Sequence, residues 1–581
     1  MNRLPHKVIV DIVSRLDPLD CVELIQVSRQ WRHIVPSCAA LPFQDITVDE
    51  DSFQILSHIH VFGRFVRTAR VKLHVFGAMI KALDRLKSCS LLQKLELRDA
   101  NITLPYALQA QLISCFKHWS RLDTFAIINL ISPQVNLVDF ILLASEYNVH
   151  HIACISNGPY LFQVQEWLLQ SSNLSTLVSL VLVLPGLATS TIKTLLSYTP
   201  NIEYLELGPT SETSIFGYGY MLGYGNSLDY ENIDQEKCSN HKEDTFPSTI
   251  ITLCPKITHL QLHHDDATLD DIMYPRDYLQ FPIKTAVSDD QDVYPGLRCY
   301  CTGVSPFDQS KYDMLLRHQS TLEHVNVGYF VSPAFRPDWD TFTTCFLPNT
   351  TLKHLVLPSI HPHADWLKAC HALEHLELRV CNTTFGASMR HTLEYQLPSL
   401  GRIDLTFHTG SRFASKRIVN QLKLLRALRY RCNHTDTLKE LNIDIYGVSR
   451  SDIATILSAV LAIHSLEKLT IQASVNHGAD EQGVLEFMQG LQYSLPYLRH
   501  LRLGESFFTF TANVIHALAA LYRLDSLTIF ENEITVDQAE LLISTMGDYL
   551  DNLYLVKCGL EEDDGIECFA EDYPVECLIL D

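Results

Sequence analysis

The sequence predicts an α/β chain in two parts, a short N-terminal module of three helices and then a long array in which parallel strands alternate with helices. Three observations lead there. At 581 residues the chain is too long for one compact core, so it must divide into domains or grow in one dimension. Apolar residues in the first 36 positions recur with helical spacing. From Leu92 onward a Leu-x-x-Leu-x-Leu beat, with Ile, Val or another apolar residue allowed, starts again at Leu122, Val149, Leu177, Ile202, Ile257, Leu297, Leu322, Leu352, Leu373, Leu400, Leu438, Leu466, Leu498, Leu524, Leu550 and Val575. Most intervals are about 25 to 30 residues, a period typical of stacked supersecondary units.

The N-terminal stretch Leu4 to Pro36 is read first. Ile9, Ile12, Val13 and Leu16 lie on one face of a helix that Pro5 can open, because proline costs nothing where the amide has no partner. Asp17 caps a second helix, with Pro18 at its first position and Asp20 in the first turn, where a carboxylate meets the positive end of the dipole. Val22, Leu24 and Ile25 give that helix its apolar side, and Val27, Trp31, Ile34 and Val35 mark a third. Three helices in about 35 residues bury too little to stand alone. The module therefore either docks on a partner or caps the array.

The wording of this stretch resembles the F-box family. Leu4-Pro5, the Ile-x-x-Ile-Val-x-x-Leu helix ending at Leu16, Asp17-Pro18-Leu19-Asp20 and Val27-Ser28-Arg29-Gln30-Trp31-Arg32 match that family's signatures in order. The resemblance implies docking on a Skp-type adaptor of a cullin–RING (SCF) ubiquitin ligase through Leu4, Pro5, Ile9, Ile12, Leu16, Pro18, Leu19 and Trp31. Lys7 departs from the pattern, since the family usually has glutamate there. The beat that follows resembles leucine-rich repeats, which implies a curved solenoid with parallel strands on its concave wall and helices on its convex one. The expected organisation is an F-box over 1–40, a linker and irregular first repeats over 41–90, and the solenoid over 91–581, with an insertion at about 211–245.

Along the array, Phe43 to Val48 and Val66 to Leu73 each read as an irregular strand. Within each later beat the fourth and sixth positions should enter the core, while the third, fifth and seventh stand on the opposite face, because strand side chains alternate. The ninth position is filled by Cys381, by Asn532 with Ile534 following, and by Cys558 with Leu560 following. Helices are expected at Val138 to Tyr147, Ser190 to Tyr198, Ser451 to Ile463 and Val536 to Met546. The interval after Ile202 is doubled by a Gly-, Tyr- and acid-rich stretch from Ser211 to Asp244. Tyr274 to Pro295 is a second excursion, and the interval from Leu400 to Leu438 is mildly long. The competing architecture, a globular protein with a parallel sheet, predicts fewer and less even strands.

A hydrophobic content of 47% with 19% charged residues argues for a folded chain. The net charge of −22 argues against a general nucleic-acid binder, which needs a basic footprint. Val135 to Ala144, the best apolar run, is short and broken by Asp139, so no membrane span is expected. Arg3, Lys7, Asp11 and Arg15 do not make a signal peptide, and sixteen cysteines without secretion fit a reducing compartment, hence the cytoplasm and/or nucleus. No nucleotide-binding, hydrolase, zinc-protease or kinase motif is present. Cys299-Tyr300-Cys301, His361-Pro362-His363, Cys238 with His241, and His263-His264-Asp265-Asp266 lack the paired spacing of a zinc module, and Glu561 to Asp564 reads as solvated surface. No cofactor is expected. The chain reads as a non-catalytic subunit rather than an enzyme.

Two functional readings follow: a substrate receptor of an SCF-type ligase, binding adaptor and cullin at one end and a protein target along the array, or a non-ligase scaffold built on the same repeats. For the target, the third position of successive beats carries His259, Cys299, His324, His354, His375 and Arg402, with Arg379 at a seventh position. His324, His354, His375, Arg379 and Arg402 would make a basic patch charging below about pH 6.5, suited to an acidic or phosphorylated segment. Glu377 and Asp404 intrude on it. The competing account is chance alignment of 26 histidines at a merely polar position.

Overall fold

The computed structural model describes residues 6–27, 29–38, 40–99, 102, 104–129, 136–156, 161–165, 169–170, 174–184, 187–208, 246–263, 296–301, 309–326, 351–357, 365–380, 387–408, 414–446, 450–474, 481–504, 510–560, 566–570 and 573–580. Leu4, Pro5, Cys238, His241, His361, His363, Cys381, the insertion at about 211–245, the stretch from Tyr274 to Pro295 and the run from Glu561 to Asp564 lie outside them. Two compact units divide the chain between Ser305 and Pro306.

The first unit opens with α1 (His6–Ser14), α2 (Pro18–Val27) and α3 (Arg29–Cys38). The Asp17 carboxylate accepts from the Asp20 amide at 2.8 Å, the cap expected ahead of Pro18. Val13, Cys21, Val22, Ile25, Val35 and Cys38 close the inside of the module. Val27, expected on the apolar side of the third helix, instead ends α2 and is 73% exposed. Because α2 also packs on the 3-10 turn Ser52–Ser57, the module is seated directly on the first turn that follows it.

The parallel ladder then begins within residues 41–90. β1 (Asp45–Val48) pairs with β2 (Thr68–Lys72), and β2 with β3 (Lys94–Arg98). Phe43 and Phe62, both buried, stack at 3.9 Å beside β1. β4 (Thr124–Ile128), β5 (His151–Ile155), β6 (Ser179–Val183), β7 (Tyr204–Leu207), β8 (His259–Leu262) and β9 (Cys299–Cys301) continue it, each parallel to the one before. In the second unit β10 (His324–Asn326), β11 (His354–Leu357), β12 (His375–Val380), β13 (Arg402–His408) and β14 (Glu440–Tyr446) pair in sequence order. β15 (Lys468–Ser474), β16 (His500–Gly504), β17 (Ser526–Phe530), β18 (Asn552–Val556) and β19 (Glu576–Leu580) complete the row.

Every start from Leu92 to Leu550 is followed two residues later by a strand. The fourth and sixth positions are buried, as in Leu95 with Leu97, Leu376 with Leu378, and Leu553 with Leu555. Val575 is the exception. Cys577 and Ile579 lie opposite Leu553 and Leu555, so the last beat starts one residue earlier, at Pro574, and Val575 is buried ahead of the strand. Helices fill the intervals where expected: Leu137–Glu146, Thr189–Leu196, Arg450–Val460 and Val536–Met546. The first of these carries the best apolar run from Leu137 to Ala144, and eight of its residues are buried. Among the described residues no helix is long and apolar enough to cross a membrane.

One device recurs between repeats. A helix leaves its last carbonyls without intrahelical donors, and a side chain of the next repeat reaches back to fill them. Trp119 Nε1 donates to the Leu86 carbonyl at 2.9 Å, and the Tyr549 hydroxyl donates to that of Ala519. Arg431 does the same at the end of the helix Ala387–Tyr395, donating to the carbonyls of Leu393, Leu397 and Leu400.

The face carrying positions three, five and seven is not uniform. In β4 to β6 it is apolar: Ala126, Ala153, Ile155, Val181 and Val183 form a buried cluster with Tyr204, and Ile128 packs against it. These strands are therefore buried on both faces, the condition in which parallel strands read as nearly continuous hydrophobic runs such as TFAII and SLVLV. The described cysteines are all free thiols, and nine of the twelve are buried. Burial pushes Cys89, Cys154 and Cys370 up to about 12, so they behave as small apolar residues.

Candidate functional site

Two surfaces carry the residues singled out by sequence. On the N-terminal module, Ile12 is 41% exposed, and Ile9, Leu16, Pro18, Leu19 and Trp31 are half-buried. Val13, Cys21, Val22, Ile25, Val35 and Cys38 close the interior, so α1 to α3 keep an apolar set at the surface. Val8, 40% exposed, joins it. The sequence offered a weak signal for Val8, which adjoins Ile9 but falls off the strict helical stripe.

The match to known families falls on this module. Residues 1–39 match the F-box domain family. They form an F-box domain. F-box domains typically bind Skp-type adaptors, and an F-box joined to a leucine-rich-repeat-like row of strands is an architecture for substrate recognition or protein interaction. Comparison with curated protein sequences gave no match. Among solved structures, that of a TLR13–ssRNA13 complex is similar over 91% of this chain and 79% of that one, at 12% identity and a TM-score of 0.29. A likeness that loose carries no argument. The repeat architecture rests instead on the strand spacing and register described above.

The second surface lies in the second unit, beyond the F-box. His324, His354, His375 and Arg402 are direct partners across β10 to β13, so the expected column exists. Arg379 is placed in the same strand as His375, paired with Thr406. His259 and Cys299 face each other in the same way in the first unit. The His354 and His375 rings stack in parallel at 4.1 Å, and the His324 ring meets His354 edge-on at 5.9 Å.

The electrostatics differ from the expected basic patch. Asp404, at position five, accepts from His375 Nε2 at 2.8 Å, from Arg402 Nε and Nη2 at 3.0 Å each, and from Asn442 Nδ2 at 2.6 Å. Arg402 also pairs with Glu440 at 3.1 Å. Burial works to raise Asp404, but the hydrogen bonds from His375 and Arg402 outweigh it and hold the carboxyl below the usual range. Burial likewise opposes the charge of Arg402, and the Asp404 and Glu440 carboxylates more than restore it. Arg402 and His375 are thus both held by carboxylates. The pocket around them, about 430 Å³, is lined by Glu377, Asp404, Glu440 and Asp444 against Arg402 and Arg502, so its formal charge is negative. Arg502 lies over the Phe530 ring at 4.3 Å.

Two histidines of the column, His354 and His324, are held below the usual histidine range. Burial, then the neighbouring His375 and His324, push His354 down to about 3, and burial also lowers His324. The Nε2 of His354 is buried without a hydrogen-bond partner among the described residues. A histidine depressed in the folded state contributes its full stability above its unfolded value of 6.5. As pH falls from there toward 3, the unfolded chain takes up a proton that the folded chain refuses, and that stability is lost at up to about 1.4 kcal/mol per pH unit. Replacing His354→Phe keeps the ring stack and removes the titration. Denaturant midpoints measured between about pH 6 and pH 4 should fall less steeply for this variant than for the parent. Equal slopes would show that His354 titrates normally.

Among the described residues no group of three or more His, Cys, Asp or Glu side chains is arranged to hold a metal ion. Cys299 and Cys301 approach to 3.8 Å between sulfurs, and His263 Nε2 meets the buried Glu206 at 2.6 Å. Sequence reasoning missed Asp404 as the centre of the second surface. The signal was the two-residue spacing of Arg402 and Asp404, which puts both on one face of a strand.

Proposed function

We propose that this chain is the substrate-recognition subunit of an SCF-type ubiquitin ligase. The F-box holds a Skp-type adaptor, and through it a cullin scaffold, by way of Leu4, Pro5, Ile9, Ile12, Leu16, Pro18, Leu19 and Trp31. The repeat strands hold a protein target, with contacts at His324, His354, His375, Arg379 and Arg402. The observation that carries this reading is the partly exposed apolar set on a module too small to stand alone, followed by row upon row of parallel strands. The chain contributes no catalytic group and no cofactor; it contributes proximity. It acts in the cytoplasm and/or nucleus, where the ligase works. Because Arg402 and His375 are spent on Asp404, the target segment at this face carries lysine or arginine toward Glu377, Glu440 and Asp444 rather than a phosphate toward the histidines.

Affinity purification of the full chain and of a chain lacking residues 1–39 tests this. Adaptor and cullin should come with the first and be lost from the second. Recovery of adaptor without cullin would make the chain a non-ligase scaffold, and recovery of neither would end the proposal. In the same experiment, converting Glu377→Gln, Glu440→Gln and Asp444→Asn together should keep the adaptor and lose the target.

A further inference from the structure

The helix Ala414–Cys432 stands apart from its neighbours in length and charge. It runs 19 residues, against 14 for Glu481–Ser494, 11 for Arg450–Val460 and 9 for Ala387–Tyr395. Its sequence holds Lys416, Arg417, Lys423, Arg426, Arg429 and Arg431 with no acidic residue, in a chain of net charge −22. Arg431 is turned inward, but Lys423, Arg426 and Arg429 are exposed. Elsewhere in this unit several surface cations have carboxylate partners: Lys353 with Glu323, Arg390 with Glu394, Lys439 with Glu467, Arg499 with Asp525. No ion pair forms at Lys423, Arg426 or Arg429 among the described residues.

Rings lie beside these cations. Tyr395, half exposed, packs its ring 5.3 Å from Tyr430, which stacks on His434 at 4.2 Å, and His391 lies 5.1 Å from Tyr395. Val419 is 47% exposed on the same helix. Helical spacing brings Lys423, Arg426 and Tyr430 onto one face, since they sit at i, i+3 and i+7. That stripe spans roughly 10 Å at 1.5 Å per residue, the length of three or four residues of extended peptide. The helix beneath is fixed by Leu424, Leu425, Ala427 and Leu428, all buried, so the cations are presented from a rigid element.

We propose that this stripe is a docking surface for an acidic protein segment, in which two or three Asp or Glu side chains meet Lys423, Arg426 and Arg429 while an apolar residue packs on the Tyr395 and Tyr430 rings. Charge complementarity selects the occupant. Three exposed cations, with no ion pair among the described residues, suit a short carboxylate run, whereas nucleic acid is held by about six to ten phosphate contacts and would be repelled by the rest of the chain. The surface is independent of what the F-box binds.

The test uses the full-length chain and a fluorescein-labelled peptide of eight residues, rich in Asp and Glu with one central Phe, followed by fluorescence anisotropy. Binding should weaken at least about tenfold in Lys423→Glu/Arg426→Glu/Arg429→Glu and also on raising salt from about 50 to 200 mM, since the contacts are exposed ion pairs. It should weaken severalfold in Tyr430→Ala, and a Gln/Asn version of the peptide should not bind. The three cations are exposed, so the thermal melt should stay unchanged. The neutral variant Lys423→Gln/Arg426→Gln/Arg429→Gln repeats the measurement if charge reversal disturbs folding. Equal peptide binding by the parent and the folded variant would overturn the proposal. So would a single-stranded oligonucleotide that binds the parent more tightly than the peptide and displaces it.

Discussion

Replacing Ile12 and Leu19 by aspartate is expected to weaken adaptor binding at least about 100-fold, read by calorimetry or by pull-down of the full chain. Each is a partly exposed apolar residue of the F-box, and truncating an anchor of this kind commonly costs about 2 kcal/mol or more at an interface. Aspartate adds the cost of forcing a carboxylate against an apolar partner. Neither residue belongs to the set that closes the module, Val13, Val22, Ile25 and Val35, so the helical signal in circular dichroism should persist. Trp31 is left in place because its half-buried ring also bears on the packing of α3. Wild-type recovery of adaptor by a folded double variant would remove the F-box from the interface.

The second large effect concerns stability. Arg431 is 1% exposed, yet it carries a full guanidinium into the helical layer. Burial pushes its pKa down, opposed only by the neighbouring Cys432. What holds it is a set of neutral acceptors: Leu393 at 3.3 Å, Leu397 at 2.5 Å, Leu400 at 3.3 Å and the Thr437 hydroxyl at 2.6 Å. The carbonyls belong to the last turn of the helix Ala387–Tyr395 and the residues just after it, where the macrodipole is negative, so the charge is met by oriented dipoles instead of a carboxylate. Arg431→Met fills similar space but leaves those carbonyls without donors, at about 1 to 3 kcal/mol for each group that stays dry. A loss of roughly 3 to 5 kcal/mol is expected in the denaturant transition of the second unit. Arg431→Lys should lie between, since an ammonium cannot fork across acceptors. A midpoint unmoved by Arg431→Met would show that water or other donors replace the guanidinium.

Strand placement was legible because the fourth and sixth positions admit few alternatives: at Leu376 and Leu378, or Ile403 and Leu405, a polar residue would be buried without a partner. The F-box was legible for a similar reason, with the Asp17 cap and Pro18 fixing where α2 begins. The slip at Val575 arose where Pro574, Val575 and Cys577 offer two apolar phases, so periodicity alone could not choose. The charge of the second surface was less accessible. Reading down position three lines up His324, His354, His375 and Arg402, but a bond runs diagonally from His375 to Asp404 at position five, and the depression of His354 comes from burial first and then from the histidines of two neighbouring repeats. Arg431 was one of six cations on its helix, and nothing in the local sequence separates the one turned inward from the three left outside.

The double-sided burial of β4 to β6 has a kinetic consequence. Amides of most strands in such a row can be reached once a helix frays or a neighbouring turn loosens, because one face of the sheet is wet. At Phe125 to Ile128, Ile152 to Ile155 and Leu180 to Val183 apolar side chains lie on both sides, so local fraying on one side leaves the backbone still dry. Hydrogen–deuterium exchange there must wait for a larger opening. These three strands should keep their protium longest in the first unit, and any partner that closes or loosens that unit would register there as a change in exchange time, even without touching the strands themselves.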